Sequence, residues 1–143
     1  MRWLAFKIGW HSAGPRPDII AFAAYHDSAE SAVLDRSTAL RRGLIVVANL
    51  FAGRDAHGSN QLVLAHELLH TLGATDKYSP ASNLPQFPDG FAEPNAKPVL
   101  PQSKAELMAG RIPLDERRAE IPKNLRSVVV GPLTAKEIGW IRE

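Results

Sequence analysis

The sequence predicts an α+β fold in which a small mixed sheet packs against one buried helix. Apolar runs of strand length recur at residues 4–8, 19–25 and 44–51, and one uninterrupted helical run occupies 60–72. With 143 residues, 45% hydrophobic and 22% charged, the chain has the size and balance of a globular domain able to bury a sizeable core. Residues 1–143 are therefore read as a single domain.

Leu4, Phe6 and Ile8 alternate with Ala5 and Lys7, the period of a strand with one buried face. Gly14, Pro15 and Pro17 mark a turn, and residues 19–25, rich in Ile, Phe and Tyr, read as a second strand. Residues 27–42 are mixed and polar and suit either a short helix or an irregular edge strand. The continuous run through Leu44, Ile45, Val46 and Val47 to Phe51 has the pattern of a strand buried on both faces. Ser59 stands where it can cap a helix by accepting a bond from a first-turn N–H. Residues 60–72 follow without Pro or Gly and are apolar nearly all round, so this helix is expected inside the domain. Gly73 ends it, because glycine enters the left-handed conformation without penalty.

Six of the eleven prolines fall between Lys77 and Gln102, which predicts an irregular loop serving as a functional rim or lid. A short helical turn is expected at 103–107 and an apolar anchor at Val128, Val129 and Val130. A last helix is expected at 135–142, with Thr134 and Glu137 as its capping box and Ile138 and Ile141 as its apolar contacts.

The absence of cysteine excludes thiol nucleophiles, disulfides, iron–sulfur clusters and zinc sites built on Cys. Metal chemistry is left to His, Asp and Glu, and there are five histidines: His11, His26, His57, His66 and His70. Seventeen Lys and Arg against 15 Asp and Glu give +2 without a basic run, so no nucleic-acid groove is indicated. No segment approaches the ~20 apolar residues of a membrane helix. Residues 1–10, broken by Arg2 and Lys7, lack the apolar core of a secretory signal.

The histidines carry the chemistry. His66-Glu67-Leu68-Leu69-His70 is an HExxH pattern, and two histidines four apart on a helix project from one face, close enough to share a metal ion. Glu67, one position from the first ligand, can reach a metal-activated water without entering the ligand set and take its proton as general base. Gly73 lets the chain leave the helix sharply, so that Asp76, three residues on, can swing back as a third ligand. Two imidazoles and a carboxylate leave the fourth position of a zinc ion open, as catalysis requires.

This HExxHxxGxxD stretch resembles the signature of the metzincin clan of zinc peptidases, and Asp at its last position resembles the snapalysin type, small secreted bacterial proteases. The resemblance continues at Tyr78 and at residues 106–110, where such proteins keep a tight turn whose methionine, here Met108, lies beneath the metal. It covers about residues 59–78 and 105–110. It implies a reduced metzincin-like (zincin) domain: strands, the active-site helix, an irregular Pro-rich loop, the Met-turn and a C-terminal helix. It also implies a Zn2+ cofactor, an extended peptide or protein substrate, and a secreted or cell-surface bacterial location. Three departures stand beside it: the family's disulfide cannot form, the loop before Met108 is longer, and residues 9–18 are too short for the family's first helix. Either the fold is reduced or an N-terminal segment is missing.

Two roles are open to Tyr78, an oxyanion donor or a rim tyrosine stacked on the proline loop. His57 reads as a surface histidine, His11 and His26 have no partner pattern, and Trp3, Trp10 and Trp140 read as packing residues. Arg111 can bind a substrate carboxylate or carbonyl, or stand as solvated charge. Glu93 and Glu106 are more distant candidates for the third ligand, with Asp76 favoured. The expected activity is zinc-dependent endopeptidase hydrolysis, with substrate paired to a sheet-edge strand before Gly43. A non-catalytic zinc-stabilised binding module and a zinc hydrolase of a non-protein amide are the alternatives.

Overall fold

The computed structural model describes residues 18–30 and 33–142. The strand expected at 4–8, the turn at 14–17, Trp3, Trp10 and His11 lie outside them.

β3 (Ile45–Phe51) is the central strand of a three-stranded sheet. β1 (Ile20–His26) runs parallel to it, in register from Ile20 opposite Ile45 to His26 opposite Phe51. β2 (Thr38–Leu40) lies antiparallel on its other side, with Thr38 opposite Val47. The edge-strand alternative for residues 27–42 is thus the one adopted, followed by a single 3₁₀ turn at Arg41–Gly43. Val46, Ala48 and Leu50 are fully buried against Val63, Leu64 and Leu68 of the following helix. Side chains alternate between faces along a strand, and Val47 on the other face is 43% exposed. The strand is therefore buried on one face, not two as its composition suggested.

α1 (His57–Leu72) begins earlier than expected. Ser59 does not cap it: Ala56 occupies the N-cap position, and Ser59 Oγ donates to the Ala56 carbonyl from within the first turn. The start is pinned instead by Asn60, whose amide brackets Phe51, donating to its carbonyl (2.8 Å) and accepting from its N–H (3.2 Å). Gly58 is required because a Cβ there would collide with the Lys123 carbonyl oxygen. At the other end Gly73 has φ +108°, with Gly73 N–H bonded to His70 O and Ala74 N–H to Leu69 O. This Schellman arrangement satisfies two carbonyls of the last turn and brings Ala74 onto Leu69. Leu72 is 40% exposed and most of the helix is half-buried, so it is less enclosed than its apolar sequence suggested.

The second side of α1 meets the C-terminal half of the chain. Leu69 and Ala74 form a buried cluster with Leu107 and Met108, flanked by Ala65, Val128, Val130 and Ile138. Here β4 (Ala105–Glu106) pairs in parallel with β7 (Val128–Val129), and β5 (Ile112–Pro113) pairs antiparallel with β6 (Ala119–Glu120). The helical turn expected at 103–107 is replaced by β4, because Leu107 N–H bonds to Val129 O. Residues 77–102 form no regular element; isolated bridges join Tyr78 to Pro85 and Phe91 to Ala105, and buried Gln102 bonds to both backbone groups of Glu93.

α2 (Pro132–Glu137) is shorter than expected and has Gly131 as its N-cap, with Pro132 in its first turn. The capping box does not form. Thr134 Oγ1 donates to Glu106 Oε1 (2.7 Å), and Glu137 reaches out to residues 75 and 77. Ile138 joins the core, whereas Ile141 is half exposed. The result, among the described residues, is a mixed α+β structure of small sheets and two α-helices, and no described helix is long and apolar enough to cross a membrane.

Glu106 has no solvent exposure, and its carboxylate joins β4, the turn after it and α2. Oε2 accepts from Ala109 N–H, and Oε1 accepts from Gly131 N–H (3.1 Å) and Thr134 Oγ1. Buried groups that lose their partners each cost about 1–3 kcal/mol. Glu106→Ala, which strands Gly131 and Thr134, should lower unfolding free energy by about 2 kcal/mol or more in urea denaturation. A loss under about 0.5 kcal/mol would remove it as a keystone.

Candidate metal centre

α1 places His66 and His70 one turn apart on one flank, and the Schellman turn at Gly73 brings the chain back so that Asp76 meets them. His66 Nε2 lies 3.0 Å from His70 Nε2, and Asp76 Oδ1 lies 3.1 Å from the first and 3.2 Å from the second. Both outer ring nitrogens face backbone carbonyls: His66 Nδ1 donates to Leu107 O (3.1 Å) and His70 Nδ1 to Ala74 O (2.8 Å). A carbonyl can only accept, so each Nδ1 carries hydrogen, and the Nε2 of each ring in its neutral form directs a lone pair inward.

Three electron-pair donors thus face one point. Ligand atoms about 2.0–2.2 Å from a tetrahedral zinc stand ~3.3–3.6 Å apart, so a few tenths of an ångström of outward movement would seat an ion. The donor set of two imidazoles and one carboxylate suits zinc, and the second bond made by each imidazole is the one that orients metal-binding histidines. Among the described residues, His66, His70 and Asp76 are the group of His, Asp and Glu close enough to share an ion. Glu93 is not in it; its carboxylate accepts from Ser103 Oγ. Glu106 is engaged in the fold contacts above.

Glu67 is buried beside this group, and its carboxylate makes no hydrogen bond or ion pair among the described residues. Burial raises its pKa, against a smaller lowering by the two histidines. It lines a cavity of about 310 Å3 whose wall includes Leu62, Val63, His66, Leu107 and Val128. Tyr78 and Arg111 also line this cavity. The Tyr78 ring centroid lies 6.5 Å from that of His66, and its hydroxyl accepts from Arg36 Nη2 (3.2 Å). Burial, and then the negative charge of Asp76, keep the Tyr78 pKa above the ordinary 10.0.

Met108 is fully buried in a tight turn closed by Ala109 N–H to Glu106 O (3.1 Å). The turn meets the site through its backbone: Leu107 O orients His66, and Met108 O accepts from Lys77 N–H (3.0 Å). His57 is exposed and bonded to Gln61, as expected of a surface residue, and His26 bonds to Asn49.

Three participants were missed from the sequence. Arg36 Nη2 donates to Asp76 Oδ2 (3.4 Å), the oxygen turned away from the histidines. Lys77 and Glu137 form a 2.8 Å ion pair beside Asp76. Only contacts across 40 to 60 residues reveal these roles, and no spacing rule carries them.

Burial lowers the His66 pKa, but the bonds to Asp76 and Leu107 O and the nearby carboxylate charges outweigh it, leaving the group above its ordinary 6.5. Burial likewise raises Asp76, while the His66 bond and the charges of His70, His66 and Arg36 bring it below 3.8. Zinc must displace the proton His66 shares with Asp76, so affinity should fall with acid. The fall should begin on the alkaline side of the ordinary 6.5. Chelator competition across a pH series measures it, and a decline confined to the acid side of that value would contradict the shared proton.

Comparison with family models, curated proteins and solved structures finds no match to the chain.

Proposed function

We propose that the protein is a zinc-dependent endopeptidase of reduced metzincin-like architecture. The observation that carries this reading is the convergence of His66 Nε2, His70 Nε2 and Asp76 Oδ1 beside the carboxylate of Glu67, which has no partner among the described residues. The element order supports it too: a parallel strand pair with an antiparallel edge strand, the HExxH helix, an irregular loop, and a tight turn around a buried methionine. On this reading the protein works outside the cell, as its resemblance to secreted proteases implies.

A zinc ion held by His66, His70 and Asp76 supplies Lewis acidity, lowering the pKa of water and polarising a carbonyl. Glu67 accepts a proton from water as the water oxygen bonds to the scissile carbonyl carbon. It then delivers that proton to the amine nitrogen as the C–N bond breaks. The Tyr78 hydroxyl keeps its proton and can donate it in a hydrogen bond to the developing oxyanion. The substrate runs extended along the outer edge of β2, unpaired among the described residues, and one of its side chains enters the apolar cavity beside Glu67.

A purely structural zinc site would complete its shell with a fourth protein ligand. Among the described residues no fourth His, Asp or Glu joins the group, which favours catalysis over a binding module. Hydrolysis of a broad peptide library, abolished by chelator and restored by zinc, separates a peptidase from a hydrolase of non-protein amides.

Glu67→Gln should retain zinc while peptide hydrolysis falls by about a hundredfold or more; undiminished hydrolysis would sink the mechanism. Tyr78→Phe should lower kcat by on the order of a hundredfold with zinc uptake unchanged. An unaltered kcat would return Tyr78 to the rim.

A further inference from the structure

His66 and His70 are set by a helix, whereas Asp76 sits on a loop and has no such frame. The residues on either side of it are nevertheless held by a single carboxylate from α2. Glu137 Oε2 accepts from Thr75 N–H (3.0 Å) and Lys77 Nζ (2.8 Å), and Oε1 accepts from Thr75 Oγ1 (2.7 Å). The Lys77 side chain is only 5% exposed, and its ammonium directs its other two donors to Thr75 O (2.8 Å) and Thr75 Oγ1 (2.7 Å). The Lys77 backbone is tied as well, its N–H to Met108 O and its carbonyl to Gln86 N–H (2.8 Å).

An ion pair that buries its lysine this far is a poor device for stability alone, since apolar side chains of similar volume often do as well or better. What it supplies is a fixed backbone on both sides of Asp76. We propose that Lys77 and Glu137 are positioning residues that preset the Asp76 carboxylate against His66 and His70, so that the C-terminal helix governs the metal affinity of the centre. This rests on the metal-centre reading above and extends it to regulation of the same site: docking of α2 and occupancy of the centre favour one another by linkage.

The test is a double-mutant cycle in the full chain, read by Zn2+ affinity in chelator competition, with circular dichroism as a check on folding. Lys77→Met combined with Glu137→Gln removes both charges and strands neither. It should weaken zinc binding by about tenfold or more. The visible spectrum of the Co2+-loaded variant should move toward that of Asp76→Ala. In the Asp76→Ala background the same pair should cost nothing further, because the residue it positions is gone. Equal losses in both backgrounds, or wild-type affinity in the pair variant, would overturn the proposal while leaving the metal centre standing. A wild-type chain that takes up no zinc would defeat both. Should the pair variant fail to fold, Thr75→Val, which removes only the hydroxyl links, replaces it in the same cycle: a loss confined to the native background supports the proposal, and any other result overturns it.

Discussion

Two imidazole lone pairs and a carboxylate oxygen held 3.0–3.2 Å apart repel one another unless positive charge lies between them. Much of the structure around α1 holds those atoms together against that repulsion. A rigid helix sets the first two, and each ring is locked by a backbone carbonyl, Ala74 O in the adjoining turn for His70 and the distant Leu107 O for His66. A left-handed glycine returns the chain, and the loop that follows is fixed on both sides of its aspartate. The raised His66 pKa expresses the same constraint, since a proton is the smallest cation that relieves it.

α1 can do this because it belongs to two cores. Val63, Leu64 and Leu68 face the sheet, while Ala65 and Leu69 face Leu107 and Met108. The flank between those apolar stripes carries His66, and the turn beneath it supplies backbone rather than side chains to the site. Methionine at position 108 is thus a packing residue whose neighbours do the orienting. Its own burial keeps the Leu107 and Met108 carbonyls aimed at His66 and Lys77.

The parts of the centre legible in sequence are those set by local geometry. Helical periodicity pairs His66 with His70, positive φ selects Gly73, and chain length past that turn limits the carboxylate that can join them to a neighbour such as Asp76. β1 and β3 were legible as elements, but burial of only one β3 face was not, since composition cannot say which layers cover a strand. Ser59, Thr134 and Glu137 show why capping signals failed. Each has the chemistry of a cap, yet Thr134 and Glu137 find stronger partners in Glu106 and the 75–77 loop. The first turn of α1 extends past Ser59 once Asn60 is anchored on Phe51. Competition between a local bond and a distant one is settled only by the fold.

The carboxylates around the centre show the same sorting by environment. Glu106 is saturated by three donors and spent on architecture. Asp76 is drawn below its ordinary range by histidines and an arginine, which keeps it ionised and able to hold a cation. Glu67, one position from His66, has no hydrogen-bond partner among the described residues, and burial pushes it upward. A carboxylate made to resist charge takes protons more readily, whereas one made to accept charge holds cations. Neighbouring acids driven in opposite directions are what general-base catalysis beside a metal ligand requires. That divergence arises from placement: the loop sets Asp76 against His66, His70 and Arg36, while the helix turns Glu67 into the apolar cavity.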